Sequence, residues 1–135
     1  MSYEYFLQAH ILGEKQQIPT AQILSILKDH VVKKEDTFLD LKFDEHNNCT
    51  FYFKTQQPYT SGLMVSRPCD GKLGEYLYEI MRLGNFVFFE PDGKYIITIS
   101  ADVEVHLPTD MIETLGRPAV AETLGDFLEL YHNNR

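Results

Sequence analysis

Residues 61–100, SGLMVSRPCDGKLGEYLYEIMRLGNFVFFEPDGKYIITIS, decide the fold of this chain. They read as strand, loop, amphipathic helix, strand, turn and strand. Leu73, Tyr76, Leu77 and Ile80 fall at i, i+3, i+4 and i+7, which puts one apolar stripe along a helix. Asp70 is placed to cap its first turn, and Gly84 to take the left-handed position after it, with Arg82 near the negative end of the dipole. Phe86, Val87, Phe88 and Phe89 form an unbroken apolar run, as in a strand covered on both faces. Pro91-Asp92-Gly93 fits a type I turn, so the run returns as a hairpin. Tyr95, Ile97 and Ile99 then face one way, and Ile96, Thr98 and Ser100 the other. This hairpin is expected at the centre of the sheet.

On the N-terminal side, Tyr3, Tyr5, Leu7, Ala9 and Ile11 alternate with polar residues as one strand with a single apolar face. Residues 13–17 read as a polar loop. Pro19-Thr20 opens a helix with the stripe Ile23, Leu24, Leu27 and Val31, His30 on its edge, and Lys33 and Lys34 at its end. Leu39, Leu41 and Phe43 pair with Cys49, Phe51 and Phe53 in a hairpin. Placing Glu45 opposite Cys49 leaves the loop His46-Asn47-Asn48, with Asn48 left-handed.

On the C-terminal side, Ser100 caps a short turn through Val105, and residues 108–110 open a helix closed by Gly116. Residues 118–120 are extended. Thr123 caps a last helix whose stripe is Leu124, Phe127, Leu128 and Tyr131. The order predicts a single α+β domain over residues 1–135. It comprises a mostly antiparallel sheet, two main helices on one face, and short C-terminal helices at an end or edge. The connection through the central helix is a right-handed crossover if its two strands are parallel.

The chain has 135 residues, 44% hydrophobic and 24% charged, a soluble globular composition. Its net charge of −8 is unevenly placed: 7 Lys and Arg stand against 8 Asp and Glu up to Arg67, and 5 against 12 from Pro68 onward. Such a field repels nucleic acid and anionic membrane, so neither is an expected partner. The opening MSYEYFLQAH alternates rather than forming the apolar block of a signal peptide. No apolar run approaches the ~20 residues that span a bilayer. Two cysteines without CxxC spacing make no disulfide framework, and a reduced, cytoplasmic location is expected.

The chemistry-bearing residues form no recognisable motif. The five histidines are scattered without HxxxH, HxH or HExxH spacing, so no metal site is expected. Neither GxxxxGK[ST] nor GxGxxG nor GxSxG occurs, so no cofactor is expected either. Cys69, ahead of a helix and beside Arg67, has the setting of an activated thiol, and His106 is the base available in the same half. Nothing in the sequence joins the two. Cysteine is among the most often buried residues, which favours a structural thiol. A small enzyme or ligand-binding domain with a pocket near Cys69 and His106 is the alternative reading.

The surface is more informative. Glu75, Tyr78 and Arg82 lie opposite the apolar stripe of the central helix, with Glu79 beside them. Tyrosine and arginine in that setting suit an interface, unless Tyr78 packs under the C-terminal helices. Glu122, Asp126 and Glu129, at i, i+4 and i+7, form an acidic stripe that would equally serve as a solvated face.

RPC at residues 67–69, LGN at 83–85 and HLPTDMIETLGRP at 106–118 resemble a pattern that recurs among small uncharacterised bacterial proteins. The likeness covers the second half of the chain. In size, acidity and lack of a catalytic signature the chain is similar in type to immunity proteins of polymorphic-toxin and contact-dependent inhibition systems. That similarity implies a class and carries over no residue. It implies a non-catalytic acidic module that neutralises a basic toxin by binding it. Glu75, Tyr78, Glu79, Arg82, Glu122, Asp126 and Glu129 are the candidate contacts, and a homodimer is also compatible.

Overall fold

The computed structural model describes residues 4–91 and 93–134; Tyr3 of the first strand and Asp92 of the expected turn lie outside them. In chain order the elements are β1 (Glu4–Ile11), β2 (Glu14–Lys15), β3 (Ile18–Pro19), α1 (Thr20–Leu27), β4 (Val31–Lys34), β5 (Phe38–Lys42), β6 (Asn48–Tyr52) and β7 (Tyr59–Thr60). There follow β8 (Gly62–Ser66), α2 (Leu73–Met81), β9 (Phe86–Phe89), β10 (Ile97–Thr98), α3 (Thr109–Leu115), β11 (Ala119–Val120) and α4 (Leu124–His132). Single 3-10 segments, Lys28–His30 and Ala101–His106, follow α1 and precede α3. This is an α+β fold built on one mainly antiparallel sheet.

The sheet runs β11-β10-β9-β1-β8-β6-β5-β4, with β2 folded back on β1 and β3–β7 a separate ribbon. Its centre is therefore β1 with β8, not the β9–β10 hairpin. Ile97 opposite Phe88 is the single β9–β10 register pair, and β11 lies beyond it, parallel to β10. Because β8 and β9 are both antiparallel to β1, they are parallel to each other, with β1 between them. The α2 crossover thus skips over one strand.

Alternation in β1 buries Tyr5, Leu7 and Ala9 against the helices and leaves Ile11 exposed. The main core joins these residues to Leu73, Leu77 and Ile80 of α2, Ile23 and Leu27 of α1, and Phe127 and Tyr131 of α4. Tyr76 and Ile99 are packed at its margin. A second cluster of Val87, Ile96, Val103 and Leu107 covers the other side of β9. Successive strand residues point to opposite faces, so Phe86 and Phe88 enter one cluster and Val87 the other. The unbroken apolar run is thereby explained. Among the described residues no helix is long and apolar enough to cross a membrane.

Several local expectations are corrected. The first helix stops at Leu27, and Val31 begins an edge strand that pairs with Leu41. Two consecutive β-branched valines favour extended backbone, and Lys33 and Lys34 then guard a sheet edge rather than a helix end. In the β5–β6 hairpin Leu41, not Glu45, opposes Cys49. Parity fixes which residues share a face but leaves the register free in steps of two. The longer loop is held by the Asp44 carboxylate, which accepts from the His46 amide at 2.8 Å and from Asn47 Nδ2 at 2.8 Å. Asn48 is the first residue of β6 and has no positive φ.

Asp70 does not cap α2: the N-cap is Lys72, with no side-chain hydrogen bond. Gly84 is not left-handed either. Glycine is needed there for space, since a Cβ would collide with Ile18 Cδ1 and lie 2.6 Å from Gln16 Oε1. Part of the polar stretch at residues 13–17 forms a hairpin with β1, pairing Ile11 with Glu14 across Leu12-Gly13. Both turn residues have positive φ, 50° and 84°, as in a type I′ turn. The expected caps at Ser100 and Thr123 are present, accepting from Asp102 N and Asp126 N, and Gly116 closes α3 at φ 87°.

Candidate protein-binding face

The helices lie side by side over the core, α4 against α2 and α2 against α1. Gly74 lets α4 approach: a Cβ there would stand 2.8 Å from Leu128 Cδ2 and 3.1 Å from Tyr131 Cε2. Tyr78, one turn further along α2, is half-buried with its ring 5.8 Å from that of Phe127. Tyr78 is therefore part of the α2–α4 seam rather than a free aromatic. Glu75, Glu79 and Arg82 are exposed on the outward side of α2, and Arg82 Nη1 is 3.5 Å from Glu79 Oε2. One acid of this group is thus already matched by a cation.

Asp126 and Glu129 are exposed on α4, but Glu122 is not on that helix. The Thr123 hydroxyl sets the N-terminus by accepting from Asp126 N at 3.1 Å, so Glu122 falls in the exposed segment ahead of it. Asp126 and Glu129 instead line a groove of about 360 Å³ together with Tyr95, Val120, Leu130 and Asn133. Tyr95 and Val120 are each 41% exposed.

The aromatic beside these acids is Tyr95, which strand alternation had grouped with the inward-facing Ile97 and Ile99. Its orientation is set by a distant contact that pattern reading could not see. Asn134 Oδ1 accepts from Tyr95 N at 2.7 Å and Asn134 O accepts from Lys94 N at 2.7 Å. The end of α4 thus holds the approach to β10, and β10 starts only at Ile97. The nearby Gly93 and Lys94 were the available signal, since they mark an irregular entry rather than a regular strand.

Cys69 and His106 are not brought together. Cys69 shares a cavity of about 120 Å³ with Tyr5 and Tyr131. His106 Nδ1 accepts from Leu12 N at 3.2 Å, at the other end of β1. Tyr5 and Leu12 are separated by about 20 Å of extended chain. What the Cys69 loop meets is the start of the strand that carries Cys49: a Cβ at Gly71 would stand 3.3 Å from Asn47 Nδ2, two residues ahead of Cys49, and both cysteines are free. The Cys49 contact is the chief influence holding the Cys69 thiol below its ordinary value, while the same contact and burial push Cys49 up.

His10 was not singled out by spacing, yet its surroundings are unusual. Neither ring nitrogen has a hydrogen-bond partner among the described residues, and burial lowers the affinity of the imidazole for a proton. His10 borders a cavity of about 440 Å³ whose cations are Lys15 and Lys54 and whose polar wall includes Gln57, Thr60 and Ser61. Among the described residues no group of three or more His, Cys, Asp or Glu side chains is arranged to hold a metal ion. No family model matches the chain, and neither curated proteins nor solved structures provide a match.

Proposed function

We propose that this chain is a non-catalytic acidic binding module of the immunity type, acting by covering a basic protein partner such as a toxin. The observation that carries the reading is the groove at α4, where Tyr95 and Val120 stand exposed between Asp126 and Glu129. Tyr95, with Val120 and Leu130 beside it, offers the anchor of a hot spot, and Asp126 and Glu129 in the same lining offer encounter rate and specificity. The excess of acids beyond Pro68 works in the same direction at longer range. A membrane surface or nucleic acid would be repelled by that field.

The test uses a partner captured from the native cell with the wild-type chain, and association rates measured at low and moderate salt. Asp126→Lys with Glu129→Lys should slow association by roughly tenfold or more at low salt and flatten the salt dependence. Glu122→Lys, Glu75→Lys and Glu79→Lys extend the mapped face. Tyr95→Ala should act on dissociation, costing about 2 kcal/mol if it is the anchor. An association rate indifferent to the reversals and to salt would remove the electrostatic mechanism.

A second reading, a ligand-binding domain, is favoured by the larger cavity. Two lysines and no carboxylate line it, in a chain with a net charge of −8. That lining suits a small anion, and the site is distinct from both Cys69 and His106. Thermal shifts with small phosphorylated or carboxylated compounds, abolished by Lys15→Ala with Lys54→Ala, would favour this reading over the first.

A further inference from the structure

The chain has two cysteines, and the fold brings both to one place. Cys49 lies on β6 and Cys69 in the loop between β8 and α2. In the β6–β8 ladder Thr50 faces Ser66, so the next step along sets Cys49 against Arg67. Arg67 has φ 51°, outside strand conformation, and β8 ends before it. The chain then folds back over the start of β6: a Cβ at Gly71 would stand 3.3 Å from Asn47 Nδ2, and the same antiparallel placement sets Cys69 opposite Cys49. The two environments differ: Cys49 is sealed in the core at 2% exposure, whereas Cys69 is half-buried at the wall of a cavity shared with Asp70, Gly71 and His132.

We infer that Cys49 and Cys69 form an oxidisable dithiol site, in which a hydroperoxide oxidises Cys69 and Cys49 closes a reversible disulfide between β6 and the loop leading into α2. The Cys69 sulfur, as thiolate, attacks the peroxide; the O–O bond breaks, an S–O bond forms, and the departing oxygen takes up a proton. The Cys49 sulfur then displaces the hydroxyl from Cys69, forming the S–S bond and releasing water with the Cys49 proton. Two thiols lose two electrons in total, and the hydroperoxide is reduced to water and an alcohol, or to two waters from hydrogen peroxide.

The division of roles follows from the surroundings. A reactive cysteine needs thiolate character and access, and a resolving cysteine needs only proximity. Cys69 is the more open of the two, and its thiol is held below its ordinary value chiefly by the neighbouring Cys49, against an opposing influence from burial, Asp44 and Asp70. Cys49 keeps its proton until the second step, because its position in the core disfavours the charged form. A small-molecule thiol reverses the reaction by exchange at the S–S bond.

The experiment treats the reduced full chain with hydrogen peroxide and reads intact mass and titratable thiols after unfolding. The expected product is monomeric, lighter by two hydrogens, lacks free thiols, and is restored by dithiothreitol. In the native reduced chain, iodoacetamide should modify Cys69 at least about tenfold faster than Cys49. Phenylarsine oxide, which bridges neighbouring thiols, should bind the native wild type once per chain and fail to bind after oxidation. The arsenical reading needs no variant, so a core substitution that misfolds cannot obscure it. In Cys49→Ala, dimedone should trap the sulfenic acid on Cys69. A Cys69 sulfinic acid formed while Cys49 stays reduced, an intermolecular disulfide, or no arsenical uptake by the native chain would each overturn the inference.

Discussion

Replacing Phe127 with alanine asks whether α4 belongs to the main core or only covers its edge. The Phe127 side chain is fully buried, and its ring stands 6.1 Å from that of Phe88, 5.7 Å from Tyr131 and 5.8 Å from Tyr78. It thus joins the sheet, its own helix and α2. Phe127→Ala removes the ring's transfer energy and leaves a cavity whose aromatic walls cannot collapse, a loss of about 3–5 kcal/mol. At ~2.1 cal/mol/K of unfolding entropy per residue, a chain of 135 residues has about 0.28 kcal/mol/K, so Tm should fall by about 11–18 °C. Thermal and urea unfolding followed by near-UV circular dichroism gives the number. Val105→Ala, at a side chain 72% exposed, is the control and should change stability by no more than ~0.5 kcal/mol. A loss below about 1 kcal/mol for Phe127→Ala would mean that α4 is peripheral, and the groove it forms with Tyr95 would lose its rigid wall.

Three further substitutions probe other parts of the molecule. Leu77→Ala, at a fully buried position of α2, should cost about 2–5 kcal/mol in urea unfolding, and a near-neutral result would refute the assignment of the helix face. Leu12→Asn should stabilise by roughly 1 kcal/mol: the first position of this turn requires φ 50°, which asparagine accepts more readily than leucine, and the leucine is 76% exposed. An unchanged or lower Tm would show that Leu12 has packing its exposure does not suggest. Burial, the main effect, holds the His10 imidazole below its ordinary 6.5, with Asp110 opposing and Lys15 assisting. The unfolded chain therefore takes the proton first, and stability should fall as pH drops from about 6.5, a slope that His10→Gln should reduce. Equal slopes for wild type and variant in urea titrations from pH 7 to 5 would contradict the linkage.

Apolar faces and some caps were legible in the sequence, although neither expected end of α2, at Asp70 or at Gly84, was. The α2 stripe, the two-sided β9 run and the Ser100 and Thr123 caps depend on residues within one or two turns of each other. Failures cluster where the deciding contact is remote. Gly84 was read as a helix stop, but its neighbour Ile18 comes from a ribbon that sequence order places far away. Tyr95 was placed on one face with Ile97 and Ile99 because its alternation was counted without Asn134, which fixes the backbone there from the end of α4. The Cys49–Cys69 contact depends on the β6–β8 register, and neither spacing nor composition encodes that register. Tyr78 was left between two roles, and only the closeness of α4 at Gly74 decides that it packs.

The central place of β1 also bears on how fast the chain can assemble. Leu7 pairs with Leu63 on one side and with Phe88 on the other, so β1 has no neighbour close to it in sequence except the small β2 return. Long loops must close before either ladder yields any stabilisation, and the entropy of closing them is spent early in the search. The β5–β6 hairpin and α2 need no such closure and can form first. Folding should then be limited by the docking of β1 between β8 and β9. Mutations in β1 such as Leu7→Ala would slow refolding, whereas mutations on the outer rim of α4 would chiefly hasten unfolding.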